Sequence, residues 1–199
     1  MSTNNGYNPG LAGVLAAETY LSHVDGLKGE LIIAGFPLMK LAANATFEET
    51  IFLLWNGRLP KQTELDDLKN ELALLRPLPA ATLNLLREAA KAQTTPMDAL
   101  RMASATLDLG QSSIDHLTTA KTVVARIATI VASYHRLRQG QEPVSPDPAL
   151  SHTANFLYML SGAPPSEARV RGLETYLNTV ADHGLNASTF KARVIIATH

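Results

Sequence analysis

An all-α, multihelical fold with a small N-terminal β-hairpin region is the architecture this sequence predicts, on three observations. Apolar residues recur at helical spacing almost everywhere beyond Pro37. Start and stop signals punctuate those stretches at helix-sized intervals. β-Branched and aromatic runs bounded by glycine occur only in residues 19–36.

The elements follow in order. TYLSHVDGLKGELIIAGF (19–36) places strand-like runs around Asp25-Gly26 and Gly29, as in a hairpin or three-stranded ribbon. Thr46-Phe47-Glu48-Glu49 reads as a capping box, with Thr46 as N-cap and Glu49 reaching back. Phe47, Ile51 and Leu54 then define one face, Gly57 supplies a left-handed stop and Pro60 follows it. Thr63 is expected to cap a second helix with Leu65, Leu68, Leu72 and Leu75 inward, stopped by Arg76-Pro77. Pro79 opens a third, running towards Lys91.

Thr95-Pro96-Met97-Asp98 combines an N-cap, proline at N1 and an acid at N3, and this helix is expected to run through Leu107 to Gly110. The polar linker QSSIDHLT (111–118) precedes a long apolar helix over 119–140. Arg136, Arg138 and Gly140 end it as the dipole and C-cap rules favour. A proline-rich loop (141–148) separates it from NFLYMLSG. Pro164-Pro165-Ser166-Glu167 starts a helix through Leu173, Leu177 and Val180 that ends in ADHGLNASTF (181–190), where Asn186 or Ser188 can cap one more helix.

The bulk numbers bound the function. A chain of 199 residues that is 46% hydrophobic and 18% charged is globular and buries a core without staples. A net charge of −1 offers no broad basic surface, so neither nucleic acid nor an anionic membrane is the expected partner. Without cysteine there are no disulfides, thiolate metal sites or cysteine nucleophiles. MSTNNGYNPG has neither the charge nor the apolar run of a secretory leader, and no apolar run approaches a membrane span; a cytoplasmic protein is expected.

The chemistry-bearing candidates are few. Among the six histidines no pair has the spacing of a helical zinc site, and no phosphate-binding glycine loop or nucleophile elbow occurs. His135 reads as a solvated cation at a helix end and His152 as polar surface in a helix-start loop. His23, in a strand, fits either face. His183 carries two readings that spacing alone leaves open. In one, Gly184 terminates the helix in a left-handed conformation and His183 sits favourably at its C-terminus. In the other, the imidazole points into a cleft that Asn186, Ser188 and Thr189 cap or line. The next helix N-terminus there offers N–H groups to an anion.

ADHGLNASTFKARVI resembles the Asp-His-x-x-Asn-Ala-Ser-Thr stretch of the citrate synthase family, particularly its shorter bacterial and archaeal branch. Further resemblances occur in the family's order: GLKGELIIAGFPLMKLAANATFEETIFLLWNGRLP, TPMDALRMASATL and ANFLYMLSG. Ala34 departs from an arginine common there, and Val180 and Gly184 from a histidine and a glutamate.

The resemblance implies an acyltransferase that condenses acetyl-CoA with oxaloacetate to citrate at the start of the tricarboxylic acid cycle. The coenzyme A thioester serves as substrate and no cofactor is needed. It implies that the chain is the N-terminal half of such an enzyme, with residues 1–182 in the large helical domain and 183–199 starting the segment that leads to the small domain. His183 maps onto the histidine that binds oxaloacetate, with Asn186 beside it. No catalytic residue maps onto this chain: the family's aspartate base and its other active-site histidines are expected beyond His199. The fragment alone is expected to be inactive. The alternatives are a 2-methylcitrate synthase using propionyl-CoA, or a short non-catalytic paralogue acting as a partner subunit. A homodimer is expected through Pro96–Leu109 and Lys121–Tyr134, where Ala103, Ala105, Ala125, Ala128 and Ala132 are small enough for close helix approach.

Overall fold

The computed structural model describes residues 18–109 and 115–197. The chain opens on an antiparallel meander, β1 (Ser22–Asp25), β2 (Glu30–Ile33) and β3 (Phe36–Pro37), in the order β1-β2-β3. Ser22 stands opposite Ile33 and Asp25 opposite Glu30. Ile33 and Phe36 pair across a two-residue turn, Ala34-Gly35, whose φ angles are both positive (45° and 88°). That is the pattern of a type I′ turn, which matches the twist of the strands.

Helix α1 (Leu38–Asn44) follows at once, then α2 (Phe47–Asn56), α3 (Gln62–Leu75), α4 (Ala80–Lys91), α5 (Pro96–Ser104) and the long α6 (His116–Arg138). After the proline-rich loop come α7 (His152–Ser161), α8 (Glu167–Thr179) and α9 (Ala187–Ile196). Several local signals act as expected. Thr46 accepts from the N–H of Glu49, and the Glu49 carboxylate accepts from the N–H of Thr46 at 2.7 Å. Thr95 caps α5 with Pro96 at the first helical position. Ser166 precedes α8, and Gly57 ends α2 at φ 69°.

Helix ends differ from expectation where competing hydrogen bonds intervene. α3 starts at Gln62, one residue before Thr63, because the Glu64 carboxylate accepts from the N–H of Lys61 at 2.8 Å. α5 stops at Ser104, short of Gly110. The N–H groups of Thr106 and Leu107 turn back to Ala103 and Ser104, tightening the chain into i→i+3 turns. α6 begins within the expected linker, since Asp115 accepts from the N–H groups of Leu117 and Thr118. Leu54 packs against the core as expected, and Leu53 beside it is fully buried. Gly110 and residues 111–114 lie outside the described residues.

α6 is the central post, packed by α3, α4, α5 and α7. One apolar cluster joins Leu86, Ala99, Ala103, Ile130 and Tyr134; another joins Ile51, Leu68, Leu72 and Ala125; a third joins the meander to α1 and α2 through Ile33, Leu41 and Leu53. Three of the alanines expected at an intersubunit face, Ala103, Ala125 and Ala132, are therefore spent inside the chain. They are 0%, 0% and 1% exposed. Small side chains there let helices of the same chain approach closely, which removes them from an outer surface.

Candidate functional site

α8 does not reach the glycine expected to end it. It stops at Thr179, and Val180 closes the last turn by donating to the carbonyl of Tyr176. The next residues leave helical geometry, and the Asp182 carboxylate accepts from the N–H of Gly184 at 3.1 Å, with Gly184 at φ 90°. This small loop presents His183 outside the helix, so the imidazole is not a favourable charge in a helix's last turn. His183 is exposed, and its side chain has no hydrogen bond among the described residues.

Asn186 has a defined local task. It is the N-cap of α9, and its Oδ1 accepts from the N–H of Thr189 at 2.8 Å and from the Thr189 hydroxyl at 3.0 Å. The capping carboxamide fixes where the positive end of α9 begins, four residues after His183. The structure thus brings a free imidazole and a helix N-terminus into one short loop, with Asn186 acting through the helix. α9 itself leaves Ile195 and Ile196 exposed, at 63% and 73%.

The five histidines among the described residues now separate, and His199 lies outside them. His23 and His116 are exposed; His135 is exposed and hydrogen-bonds Gln139 at 3.1 Å. His152, expected on the surface, is 5% exposed. It is the first residue of α7, and its N–H donates at 2.7 Å to a carboxylate on α2, that of Glu48, which is itself fully buried. A carboxylate at a helix N-terminus is favoured electrostatically. The Phe47 ring lies 5.4 Å from the imidazole.

Arg76, the C-cap of α3, is 1% exposed and donates to the carbonyl of Asp147 at 2.9 Å, while the Asn155 Oδ1 accepts from the N–H of Asp147. This network pins the proline-rich loop between α6 and α7. None of its long-range contacts has a short-range sequence signature.

Burial first, and the Arg76 cation second, pull the His152 imidazole down to about 4. An unfolded histidine titrates near 6.5, so between roughly pH 6.5 and 4 the unfolded chain binds a proton that the native fold refuses. Stability is full above that window and falls as the pH drops through it, by roughly 3 kcal/mol in all. Glu174 works in the opposite sense. Burial, then Glu48, push its carboxyl up, so its penalty at neutral pH is relieved on acidification. Urea midpoints measured at about pH 7.5 and about pH 4.5 should converge for His152→Asn relative to the parent chain. An equal drop in both would show that another group takes up the proton.

The family described as citrate synthase, C-terminal domain, matches residues 10–199. The citrate synthase of Haloferax volcanii is 41% identical over 95% of this chain and 52% of that protein. The citrate/2-methylcitrate synthase of Bacillus subtilis is 34% identical over 100% of this chain and 55% of that protein. The crystal structure of citrate synthase from Pyrobaculum aerophilum superposes with a TM-score of 0.84 at 38% identity, covering 96% of this chain and 51% of that one. The chain spans about half the length of the curated relatives it matches.

Proposed function

Because the chain belongs to the citrate synthase family, we propose that it supplies one side of a citrate synthase active site, that of oxaloacetate. The exposed, unanchored imidazole of His183, set between the end of α8 and the N-terminus of α9, carries the reading. A dicarboxylate needs donors that keep its carbonyl where the attacking enol arrives, which is a positioning role. His183 donates to oxaloacetate, and Asn186 fixes the helix end beside it.

The remaining groups of the reaction, the base that enolises acetyl-CoA and the donor that polarises the oxaloacetate carbonyl, belong to a further part of the full-length enzyme. This chain then corresponds to its N-terminal half, with residues 1–182 in the large domain. The half-length coverage of the relatives supports that placement. Propionyl-CoA is the alternative acyl donor, supported by 36% identity to the 2-methylcitrate synthase of Mycobacterium tuberculosis over 95% of this chain. A cytoplasmic location suits either substrate, and no helix among the described residues is long and apolar enough to cross a membrane.

In the full-length enzyme His183→Ala is expected to raise the KM for oxaloacetate and lower kcat by on the order of 10²-fold. The melting temperature should not move, since His183 is exposed. An indifferent variant would refute the assignment.

Association follows from the other face. Pro96, Met97, Leu100, Ile130, Val131 and Tyr134 form the apolar lining of a groove of about 470 Å³ between α5 and α6, which His135 and Arg138 complete. Met97 and Val131 are 73% and 38% exposed. An apolar strip of this kind favours a covering partner. A second copy of the chain is that partner, and sedimentation at micromolar concentration is expected to show a dimer; a clean monomer would count against it.

A further inference from the structure

We propose that Arg171 and Asn178 are positioning residues for His183: together they moor α8 to the carbonyl end of α1, and so decide where the imidazole stands. The proposal rests on the reading of His183 as an oxaloacetate ligand.

A helix leaves its last carbonyls without internal donors. At the end of α1 those carbonyls are met from α8. Arg171 Nη1 donates to the Ala45 carbonyl at 2.8 Å and Nη2 donates to that of Ala42. Asn178 Nδ2 donates to the Ala45 carbonyl as well, at 2.9 Å. Glu174 lies 3.2 Å from Arg171 Nη1 and steadies the guanidinium, whose charge suits the negative end of α1. Arg171, Glu174 and Asn178 stand at i, i+3 and i+7 and share one face of the helix. Residues 171 and 178 lie about 10 Å apart along the axis of α8, yet both side chains converge on the Ala45 carbonyl, and Arg171 holds that of Ala42 as well, so α8 is tied to the end of α1 from two of its turns.

Nothing nearer to His183 does this. Asn178 is fully buried, whereas the residues from Thr179 to Asn186 are half-buried or exposed. The Asn178 Oδ1 is buried without a hydrogen-bond partner among the described residues. An unsatisfied buried acceptor works against stability. A leucine would fill the same space without that cost, so the amide's contribution is its bond to Ala45, which is directional. An imidazole misplaced by about 1 Å can cost 10²-fold in rate.

The test uses the full-length enzyme, isotope-labelled at histidine and glycine, and nuclear magnetic resonance on the parent, Asn178→Leu, Arg171→Met and Arg171→Lys. In Asn178→Leu the melting temperature should hold or rise. The order parameters of the His183 and Gly184 amides should fall, and the Kd for oxaloacetate, read from the His183 ring signals, should rise at least about five-fold. Arg171→Met should act in the same direction and Arg171→Lys should be intermediate, because it keeps a cationic donor. Unchanged His183 order and ring shifts in Asn178→Leu, or changes that merely follow melting temperature across the series, would overturn the proposal. If the parent's His183 does not respond to oxaloacetate at all, the functional reading fails, and the order parameters still decide the mooring.

Discussion

Replacing Glu48 with alanine is expected to remove about 3–5 kcal/mol of folding stability, as breaking a buried charged network by deleting one partner does. Glu48 is fully buried, and its Oε1 accepts the first N–H of α7 across 104 residues of sequence. Its charge also favours the cation of Arg76, which burial works against. Deleting the carboxylate takes one of two favourable charges from that buried cation, the other being Asp147, and removes the acceptor of the first N–H of α7. Domains of this kind are stable by only about 5–15 kcal/mol, so the loss is a large share of the whole. Glu48→Gln keeps an acceptor for His152 and should lose markedly less. Urea unfolding of the two variants checks this; a Glu48→Ala chain within about 0.5 kcal/mol of the parent would show that the network is not holding α2 to α7.

The 199-residue chain on its own is expected to release no coenzyme A from acetyl-CoA and oxaloacetate above the buffer rate. One imidazole cannot both deprotonate the acetyl methyl and polarise the ketone of the other substrate. General acid–base groups and oxyanion donors each contribute typically 10²–10⁴-fold, so losing several together leaves little above background. Thioester-release kinetics on the purified chain decide the matter, and robust turnover would show that the active site lies elsewhere in the fold. Adding the remaining half of the enzyme should restore activity if the chain is an N-terminal half. A paralogue that serves only as a partner subunit would gain none from that addition.

What was legible in the sequence was what depends on neighbours three or four residues apart. Thr46 and Glu49, Thr95 and Pro96, and Asn186 with Thr189 each form a local hydrogen-bonding unit, and each marks a helix start where the pattern put it. The family motifs around His183 were legible for the same reason: they are contiguous. Thr63 misled because a competing bond from Glu64 sat one residue away, and the helix expected through Leu107 stopped early because the N–H groups of Thr106 and Leu107 turn back to Ala103 and Ser104. The buried position of His152 was invisible, since its partner Glu48 is 104 residues distant, and the role of Asn178 likewise, at 133 residues from Ala45. A polar triplet on one face of α8 was the only hint, and such a stripe usually faces water.

The mooring of α8 on α1 also dictates an order of events during synthesis. The Ala45 carbonyl and its Arg171 donor are separated by 126 residues. At translation rates of roughly 5–20 residues per second, the meander and α1 wait roughly 6–25 s before the chain that completes their contacts has been made. α1 thus gains its contacts with the meander and α2 long before its carbonyl end finds donors on α8.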